Sequence, residues 1–195
     1  LNILKKEKTV IFDKSIKESK IIENLSKKKH LRLVDIYQTK EKLKKILNLN
    51  EFQLNNLSMA VAAAKICKLK EKKIFNSLTK LKDVEGRMEL VRIFPNNIKV
   101  YVDFAHTPDA LLKSVNALKS TQNKNISLVF GCGGDRDFKK RPIMAKIASK
   151  NCDKIYITDD NPRNEKPEKI RKEIIKNIKN KNCFNIGDRS EAIKT

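Results

Sequence analysis

Apolar side chains recur at helical spacing through most of the first half of the chain. Ile, Leu, Val and Ala stand three or four positions apart and are separated by lysines and glutamates, which is typical of amphipathic helices with one buried face. This pattern predicts four helices, at residues 15–29, 41–48, 54–68 and 71–82. We expect Ser15 to cap the first helix. LRLVDI, at 31–36, predicts a short strand after that helix.

A second pattern begins near residue 85. Two strand-like runs are separated by Pro95-Asn96-Asn97, and we place the domain boundary there, between residues 95 and 96. Beyond it, an apolar strand, a polar loop and a helix that begins near a proline follow one another three times. The strands are expected at 98–104, 126–131 and 154–158, the helices at 108–119, 142–150 and 167–179, and a weaker fourth strand at 183–186.

This alternation predicts an α/β fold with a mainly parallel sheet, because parallel strands need crossover connections and helices supply them. Proline suits the first turn of each helix, where its missing N–H has no partner in any case. The loops that follow the three strands then lie at one edge of the sheet. Side chains on these loops can converge on a single ligand there.

Composition and charge restrict the function further. Of the 195 residues 39% are hydrophobic, and no apolar run approaches the roughly 20 residues of a membrane helix. The N-terminal residues lack the features of a secretory signal, so we expect a cytoplasmic protein without a membrane partner. The net charge of +21 suggests nucleic-acid binding, but the lysines are spread along amphipathic segments and aromatic residues make up only 6%. We expect non-specific attraction to polyanions and no specific nucleic-acid partner.

The cysteines indicate neither a zinc site nor a disulfide framework. They form no C-x-x-C pair and no cluster with histidine. Reduced and mostly buried thiols are the expectation for all four, Cys67, Cys132, Cys152 and Cys183.

The segment ITDDNPR, at 157–163, carries the most specific candidate chemistry. It places two carboxylates, an amide and a guanidinium on one tight turn at the end of a strand. Asp159 and Asp160 could accept hydrogen bonds from the ammonium of a free amino acid, and Arg163 could form a forked pair with its carboxylate. A surface turn with a helix cap explains these residues equally well when they are considered alone.

Two further loops add candidates. GCGGDRD, at 131–137, holds three of the five glycines, which allow positive φ or a close approach to a ligand, but it matches no nucleotide-binding fingerprint. Arg136 there is equally a ligand-facing cation or a locally paired residue. In VDFAHTP, at 102–108, a buried loop histidine is a commoner role for His106 than catalysis, and Thr107 would be an N-cap.

The segments GRMELV, YVDFAHTPDAL, VFGCGGDRDFKKRPIMAKIA and ITDDNPRNEKPEKI, in this order and spacing, resemble the Mur ligases. Within that family they are most similar to the enzymes that add meso-diaminopimelate to UDP-MurNAc-L-Ala-D-Glu. The resemblance covers roughly residues 51–195. It implies that residues 1–95 are the end of the central ATP-binding domain. Residues 96–195 would then be a Rossmann-like domain that binds the amino acid and is incomplete at its end.

The resemblance also implies a reaction in peptidoglycan precursor synthesis. Such ligases use ATP and Mg²⁺ to convert the γ-carboxylate of the precursor's D-glutamate to an acyl phosphate, which an amine of meso-diaminopimelate attacks. The implied ATP-binding residues are Asn56, Arg87, Asp103 and His106, with His106 the one candidate catalytic residue. The implied diaminopimelate-binding residues are Arg136, Asp160, Asn161, Pro162 and Arg163. The resemblance assigns no metal ligand.

The sequence departs from the family in several places. Gln53 stands where the family has the first Asn of its F-N-x-x-N segment. The family's GTNGKT phosphate loop, carbamoylated lysine, UDP-binding domain and GKGHE segment have no counterpart in these residues. We therefore expect this chain to be inactive alone and to need the remainder of the ligase chain. Two alternatives stay open: an L-lysine-adding Mur ligase, and a truncated module that binds a ligand or polyanion without catalysis.

Overall fold

The computed structural model describes residues 8–195 except 48, 83, 123–124 and 180–181. The predicted end of the second helix at residue 48 and the first seven N-terminal residues therefore lie outside the described residues. The chain forms two compact units, Leu1–Lys82 and Asp83–Thr195. Within the described ranges, none of the helices combines the length and apolar character that a membrane crossing requires.

The first unit combines four helices with a small parallel sheet. Strand β1, which the sequence pattern did not predict, pairs with β2 so that Thr9 faces Arg32, and α1 connects the two strands. The predicted helices and the predicted strand are present with shifted ends. The elements are β1 Thr9–Phe12, α1 Ser19–Lys28, β2 Arg32–Asp35, α2 Tyr37–Lys44, α3 Glu51–Ile66 and α4 Glu71–Leu78.

The helix starts show why the predicted ends shifted. The Ser15 cap is wrong, because the N–H and hydroxyl of Ser15 donate to the Asp13 carboxylate at 2.9 and 2.6 Å and close a turn after β1. Helix α3 starts earlier than predicted because it has a capping box. The Asn50 side chain accepts from the Gln53 N–H at 2.9 Å, and the Gln53 side chain accepts from the Asn50 N–H at 3.3 Å.

The second unit contains an antiparallel hairpin and a parallel sheet with the order β5-β6-β7. The parallel strands alternate with helices, which confirms the predicted α/β fold with a mainly parallel sheet. The elements are β3 Glu89–Ile93, β4 Lys99–Val102, α5 Pro108–Gln122, β5 Ser127–Phe130, α6 Lys140–Asn151, β6 Lys154–Ile157, α7 Pro167–Ile175, β7 Cys183–Asn185 and α8 Arg189–Lys194.

The strand before the AHTP loop does not join the parallel sheet in the described structure. It was expected as the first of three parallel strands, but β4 pairs antiparallel with β3, with Glu89 opposite Val102. The turn between them reverses the chain at once, with Asn97 at φ 60° and its N–H bonded to the Phe94 carbonyl. The predicted domain boundary between residues 95 and 96 falls in this turn and stays a prediction; it lies within the second compact unit, Asp83–Thr195.

Each unit has its own hydrophobic core. The core of the first unit is formed by Leu43, Leu54, Val61 and Ile74. The core of the second unit brings α5, α6 and α7 against β5 and β6, and burial of each large side chain there is worth about 1.5–3 kcal/mol. This packing fixes the carboxyl ends of β5 and β6, from which two of the predicted loops leave. Its central residues are Leu111, Val115, Met144, Ala148, Ile155, Ile157, Ile170 and Ile174.

Candidate functional site

Two predicted loops lie against each other at the carboxyl ends of β5 and β6. We call residues 131–137 the glycine loop and residues 159–165 the DNPR turn. The Gly134 N–H donates to the Asn161 carbonyl at 2.8 Å. The Arg163 Nη1 donates to the Gly134 carbonyl at 2.6 Å. Backbone and side-chain bonds thus join the two loops into one surface.

A reciprocal pair of carboxylates strengthens this junction. The Asp135 N–H of the glycine loop donates to Glu165 Oε1 at 2.7 Å. In return, Asp135 Oδ2 accepts from the Asn164 N–H at 3.1 Å and from Asn164 Nδ2 at 2.9 Å. Hydrogen bonds with an ionised acceptor are stronger than neutral ones, so each loop holds the backbone of the other firmly.

A buried arginine lies beside the two loops. Arg141, in the first turn of α6, is 1% exposed and binds Glu165 through both terminal nitrogens at 2.7 and 3.0 Å. It also pairs with Glu173 of α7 at 2.7 Å. The hydrogen bonds from Arg141, together with that from the Asp135 N–H, lower the pKa of Glu165 to about 2. The hydrogen bond to Glu165 is likewise the main reason that the pKa of Arg141 is raised.

Arg141 was not among the predicted site residues, although its position in the sequence indicates burial. Arg141 is buried together with Met144, Ala145 and Ala148 on α6. Those positions follow the helical spacing of a core-facing stripe, so a charged residue among them needed a buried partner.

Gly131 and Gly134 of the glycine loop allow close packing against neighbouring backbone. Among the described residues, only Gly86 is a glycine with positive φ. A Cβ on Gly131 or Gly134 would overlap the carbonyl oxygen of Thr158 or Pro162, respectively. These glycines therefore make room for the backbone of the neighbouring strand end and turn, whereas the sequence suggested positive φ or a bound ligand.

The DNPR turn holds one paired and one exposed carboxylate. Asp159 forms an ion pair with Arg171, and its N–H donates to the Gly187 carbonyl at 2.9 Å, so Asp159 ties the turn to the loop after β7. Asp159 is therefore already paired with Arg171 in this arrangement, and its expected role as an ammonium acceptor stays a prediction. Asp160 is exposed, and no hydrogen-bond or ion-pair partner of its carboxylate occurs among the described residues.

Two arginines on the joined loops are exposed. The Arg136 guanidinium has no hydrogen-bond or ion-pair partner in the described part of the chain, and that of Arg163 bonds only the Gly134 carbonyl there. Asp135 and Arg163 have φ of 48° and 50°. This left-handed backbone costs a non-glycine residue about 1 kcal/mol and persists only where its surroundings fix it. The joined loops therefore hold a preformed surface with two exposed cationic groups, neither of which is paired with a carboxylate among the described residues.

A second exposed cluster in this unit lies at the start of the AHTP loop, residues 105–108. It consists of Phe104, His106 and Arg87. The Arg87 guanidinium lies 4.7 Å from the centre of the Phe104 ring, and the His106 ring meets Phe104 edge-on at 5.3 Å. Phe104 is 63% exposed and was not predicted as a site residue. Its neighbour Asp103 accepts from the Ser114 hydroxyl.

His106 is exposed, so the expectation of a buried loop histidine is wrong. Its Nδ1 lies 3.1 Å from the Phe104 carbonyl, and its own carbonyl accepts from Lys140 Nζ at 2.8 Å. The Thr107 hydroxyl accepts from the Ala110 N–H at 3.3 Å, as the predicted cap requires.

The fourth predicted ATP residue lies in the other unit. Asn56 is exposed on α3. Gln53, which replaces the first Asn of the family's segment, is engaged in the capping box of that helix. That Asn56, Arg87, Asp103 and His106 contact one nucleotide stays a prediction.

The possible metal ligands and the cysteines of the described residues are further candidate sources of chemistry. Across the described ranges, no group of three or more His, Cys, Asp or Glu side chains is placed to hold a metal ion, and no residue is assigned to the implied Mg²⁺. None of the four cysteines forms a disulfide; Cys132 and Cys152 are buried and Cys67 is exposed. Burial raises the pKa of Cys132 and raises that of Cys152 to about 11, so both remain protonated thiols.

Comparisons with known proteins identify the family of the chain. The family described as "Mur ligase, glutamate ligase domain" matches residues 86–195, more than half of the chain. The chain is 45% identical over 148 residues to the UDP-N-acetylmuramoyl-L-alanyl-D-glutamate–2,6-diaminopimelate ligase of Rickettsia bellii. The aligned region covers 75% of this chain and 30% of that protein. It is 43% identical over 144 residues to the protein of the same name from Rhizobium meliloti, covering 74% and 29%.

Solved structures show the same fold. A structure of a UDP-N-acetylmuramoyl-L-alanyl-D-glutamate–2,6-diaminopimelate ligase superposes with a TM-score of 0.53 at 26% identity, over 96% of this chain and 44% of that one. A bifunctional folylpolyglutamate synthase/dihydrofolate synthase from Yersinia pestis, complexed with AMPPNP and Mn ion, gives 0.70 at 14% identity, over 98% and 47%. The chain spans about 30% of the length of the curated relatives it matches.

Proposed function

Because the chain belongs to the Mur ligase family, we propose that it forms part of an ATP-dependent ligase that adds meso-diaminopimelate to UDP-MurNAc-L-Ala-D-Glu. The reaction would serve peptidoglycan precursor synthesis in the cytoplasm. The observation that carries the proposal is the junction of the glycine loop with the DNPR turn. The junction presents Arg136, Asp160 and Arg163 on one exposed surface.

This surface suits the far end of meso-diaminopimelate. That end is an amino acid, with a carboxylate that a guanidinium pairs with in a forked geometry and an ammonium that Asp160 can accept from. The far end of L-lysine carries no carboxylate, so Arg163 favours diaminopimelate over lysine. The names of the relatives from Rickettsia and Rhizobium support the same choice.

The residues of this chain would bind and orient the reactants. ATP would supply the phosphoryl group that activates the D-glutamate γ-carboxylate as an acyl phosphate. With its far end held by the joined loops, diaminopimelate would attack the acyl carbon through the amine at its other end, which would lose a proton as phosphate leaves. An exposed aromatic ring beside a cation attracts a nucleotide base, so Phe104, Arg87 and His106 offer a surface for ATP. Asn56 and Asp103 complete the proposed contacts. No residue is assigned to Mg²⁺.

The test is substitution of Arg163 in the complete ligase that contains this sequence. Arg163→Ala should raise the KM for diaminopimelate at least about tenfold and change the KM for ATP little, because a hydrogen-bonded charge pair is lost from one substrate only. Arg163→Lys should be nearly as harmful, since an ammonium cannot make the forked pair. Both variants keep a side chain at a position with positive φ, so the backbone strain is matched.

Each alternative predicts a different result. A complete enzyme that incorporates lysine in preference to diaminopimelate would indicate a lysine-adding ligase. Equal increases in both KM values would refute the role of Arg163. A protein whose melting temperature responds to neither ATP nor diaminopimelate, and which binds random DNA in a salt-sensitive manner, would be a polyanion-binding module.

A further inference from the structure

The carboxylate of Glu165 joins more elements than any ligand residue proposed above. It receives Arg141 through two nitrogens, at 2.7 and 3.0 Å, and the Asp135 N–H at 2.7 Å. It therefore links α6, the glycine loop and the DNPR turn. Its guanidinium partner also contacts the Gly133 carbonyl at 3.3 Å and Glu173 at 2.7 Å, but its two bonds to Glu165 do not pass through either of them.

The residues that Glu165 holds lie next to the proposed ligand residues. Asp135 precedes Arg136, and its own carboxylate holds the backbone and side chain of Asn164, which follows Arg163. Asp135 and Arg163 are also two of the non-glycine residues with positive φ in the described structure. Such backbone geometry persists when surrounding contacts over-determine it, and the bonds through Glu165 and Asp135 are those contacts.

We infer that Glu165 is a positioning residue for the diaminopimelate site. Held by Arg141, it locks the glycine loop onto the DNPR turn and so fixes the backbone positions from which Arg136 and Arg163 project. The inference rests on the proposed function, because the two arginines matter only if they bind the acceptor amino acid. It predicts that Glu165, without touching substrate, controls the affinity for one substrate and leaves the other unaffected.

Glu165→Gln in the complete ligase tests this role, with Glu173→Gln as the matched control. Glu173 shares Arg141 with Glu165, but its carboxylate makes no hydrogen bond to either loop among the described residues. We expect Glu165→Gln to raise the KM for diaminopimelate about tenfold and that for ATP less than about twofold. Glu173→Gln should change both by less than about twofold. An equal rise of both KM values in Glu165→Gln, or the same selective rise in Glu173→Gln, would overturn the inference.

A second variant covers the case in which Glu165→Gln does not fold. Asn164→Ala removes the side-chain bond to Asp135 and leaves the Arg141–Glu165 pair intact. It should raise the KM for diaminopimelate about threefold, and an unchanged value would contradict the positioning role. Failure of the proposed function is recognised separately. In that case the unsubstituted enzyme forms no diaminopimelate product, whatever the variants do.

Discussion

Neighbouring carboxylates of the second unit have different partners, and the partners decide their roles. Asp135, Asp159 and Glu165 each bind a cation or a backbone amide of another element. Asp160 is exposed, with no such partner in the described structure. At the scale of single residues, sequence alone could identify the acidic and basic candidates in these loops. It could not separate a ligand group from a structural one, because pairing depends on residues that lie between 12 and 30 positions away.

The hydrogen bonds to Glu165 should make the second unit sensitive to acid. Because they lower its pKa from 4.5 to about 2, the folded state binds the proton more weakly than the unfolded state. The stabilisation is therefore complete above about pH 4.5 and is lost as the pH falls towards about 2. Urea unfolding at a series of pH values should show this loss in the unsubstituted protein and a smaller one in Glu165→Gln. Parallel pH dependences of the two proteins would contradict the prediction.

Two adjacent glycines should differ in their tolerance of a methyl group. A Cβ at Gly134 would overlap the Pro162 carbonyl, which is backbone, whereas a Cβ at Gly133 would meet Arg163 Nη1 at 2.9 Å, the end of a flexible side chain. We expect Gly134→Ala to lower the free energy of unfolding by about 2 kcal/mol and Gly133→Ala by less than about 1 kcal/mol. Urea denaturation of the two variants measures both values. The reverse order would show that the loops do not pack as described.

At the scale of single elements, the sequence pattern predicted most helices and strands correctly, but it predicted the pairing of strands less well. The alternation of β5, α6, β6, α7 and β7 was predictable because each element carries its own periodicity and its proline or glycine boundary. The antiparallel pairing of β4 was missed, since Pro95-Asn96-Asn97 forms a tight turn where a domain boundary was expected. Strand β1 was missed because four residues, TVIF, give too little pattern to distinguish a strand.

Two asparagines of helix α3 allow an effect on stability to be distinguished from an effect on ATP binding. Asn50 caps the helix through its bond to the Gln53 N–H, whereas Asn56 is exposed on the same helix. Asn50→Ala should lower the free energy of unfolding by about 1 kcal/mol, and Asn56→Ala should change it by less than about 0.5 kcal/mol. In the complete ligase, only Asn56→Ala should raise the KM for ATP. If both variants lose the same stability, Asn56 has a structural role and its assignment to ATP fails.

At the scale of the whole molecule, the chain carries the joined loops that we propose to bind the amino acid, but these 195 residues contain no phosphate-loop sequence. No G-x-x-x-x-G-K-[ST] segment occurs in its 195 residues, and it spans about 30% of the length of its curated relatives. Phosphoryl transfer depends on such an electrostatic cradle for most of its rate.

The 195-residue chain alone should consequently form no product from ATP, UDP-MurNAc-L-Ala-D-Glu and labelled diaminopimelate. The native polypeptide captured from its source cells, assayed in parallel, is the control. If its intact mass exceeds 22.5 kDa and it makes the labelled tripeptide, the assignments above apply to that enzyme. Ligation by the isolated chain would mean that its own residues activate the carboxylate without a phosphate loop. Arg87 and His106 would then be the first residues to substitute.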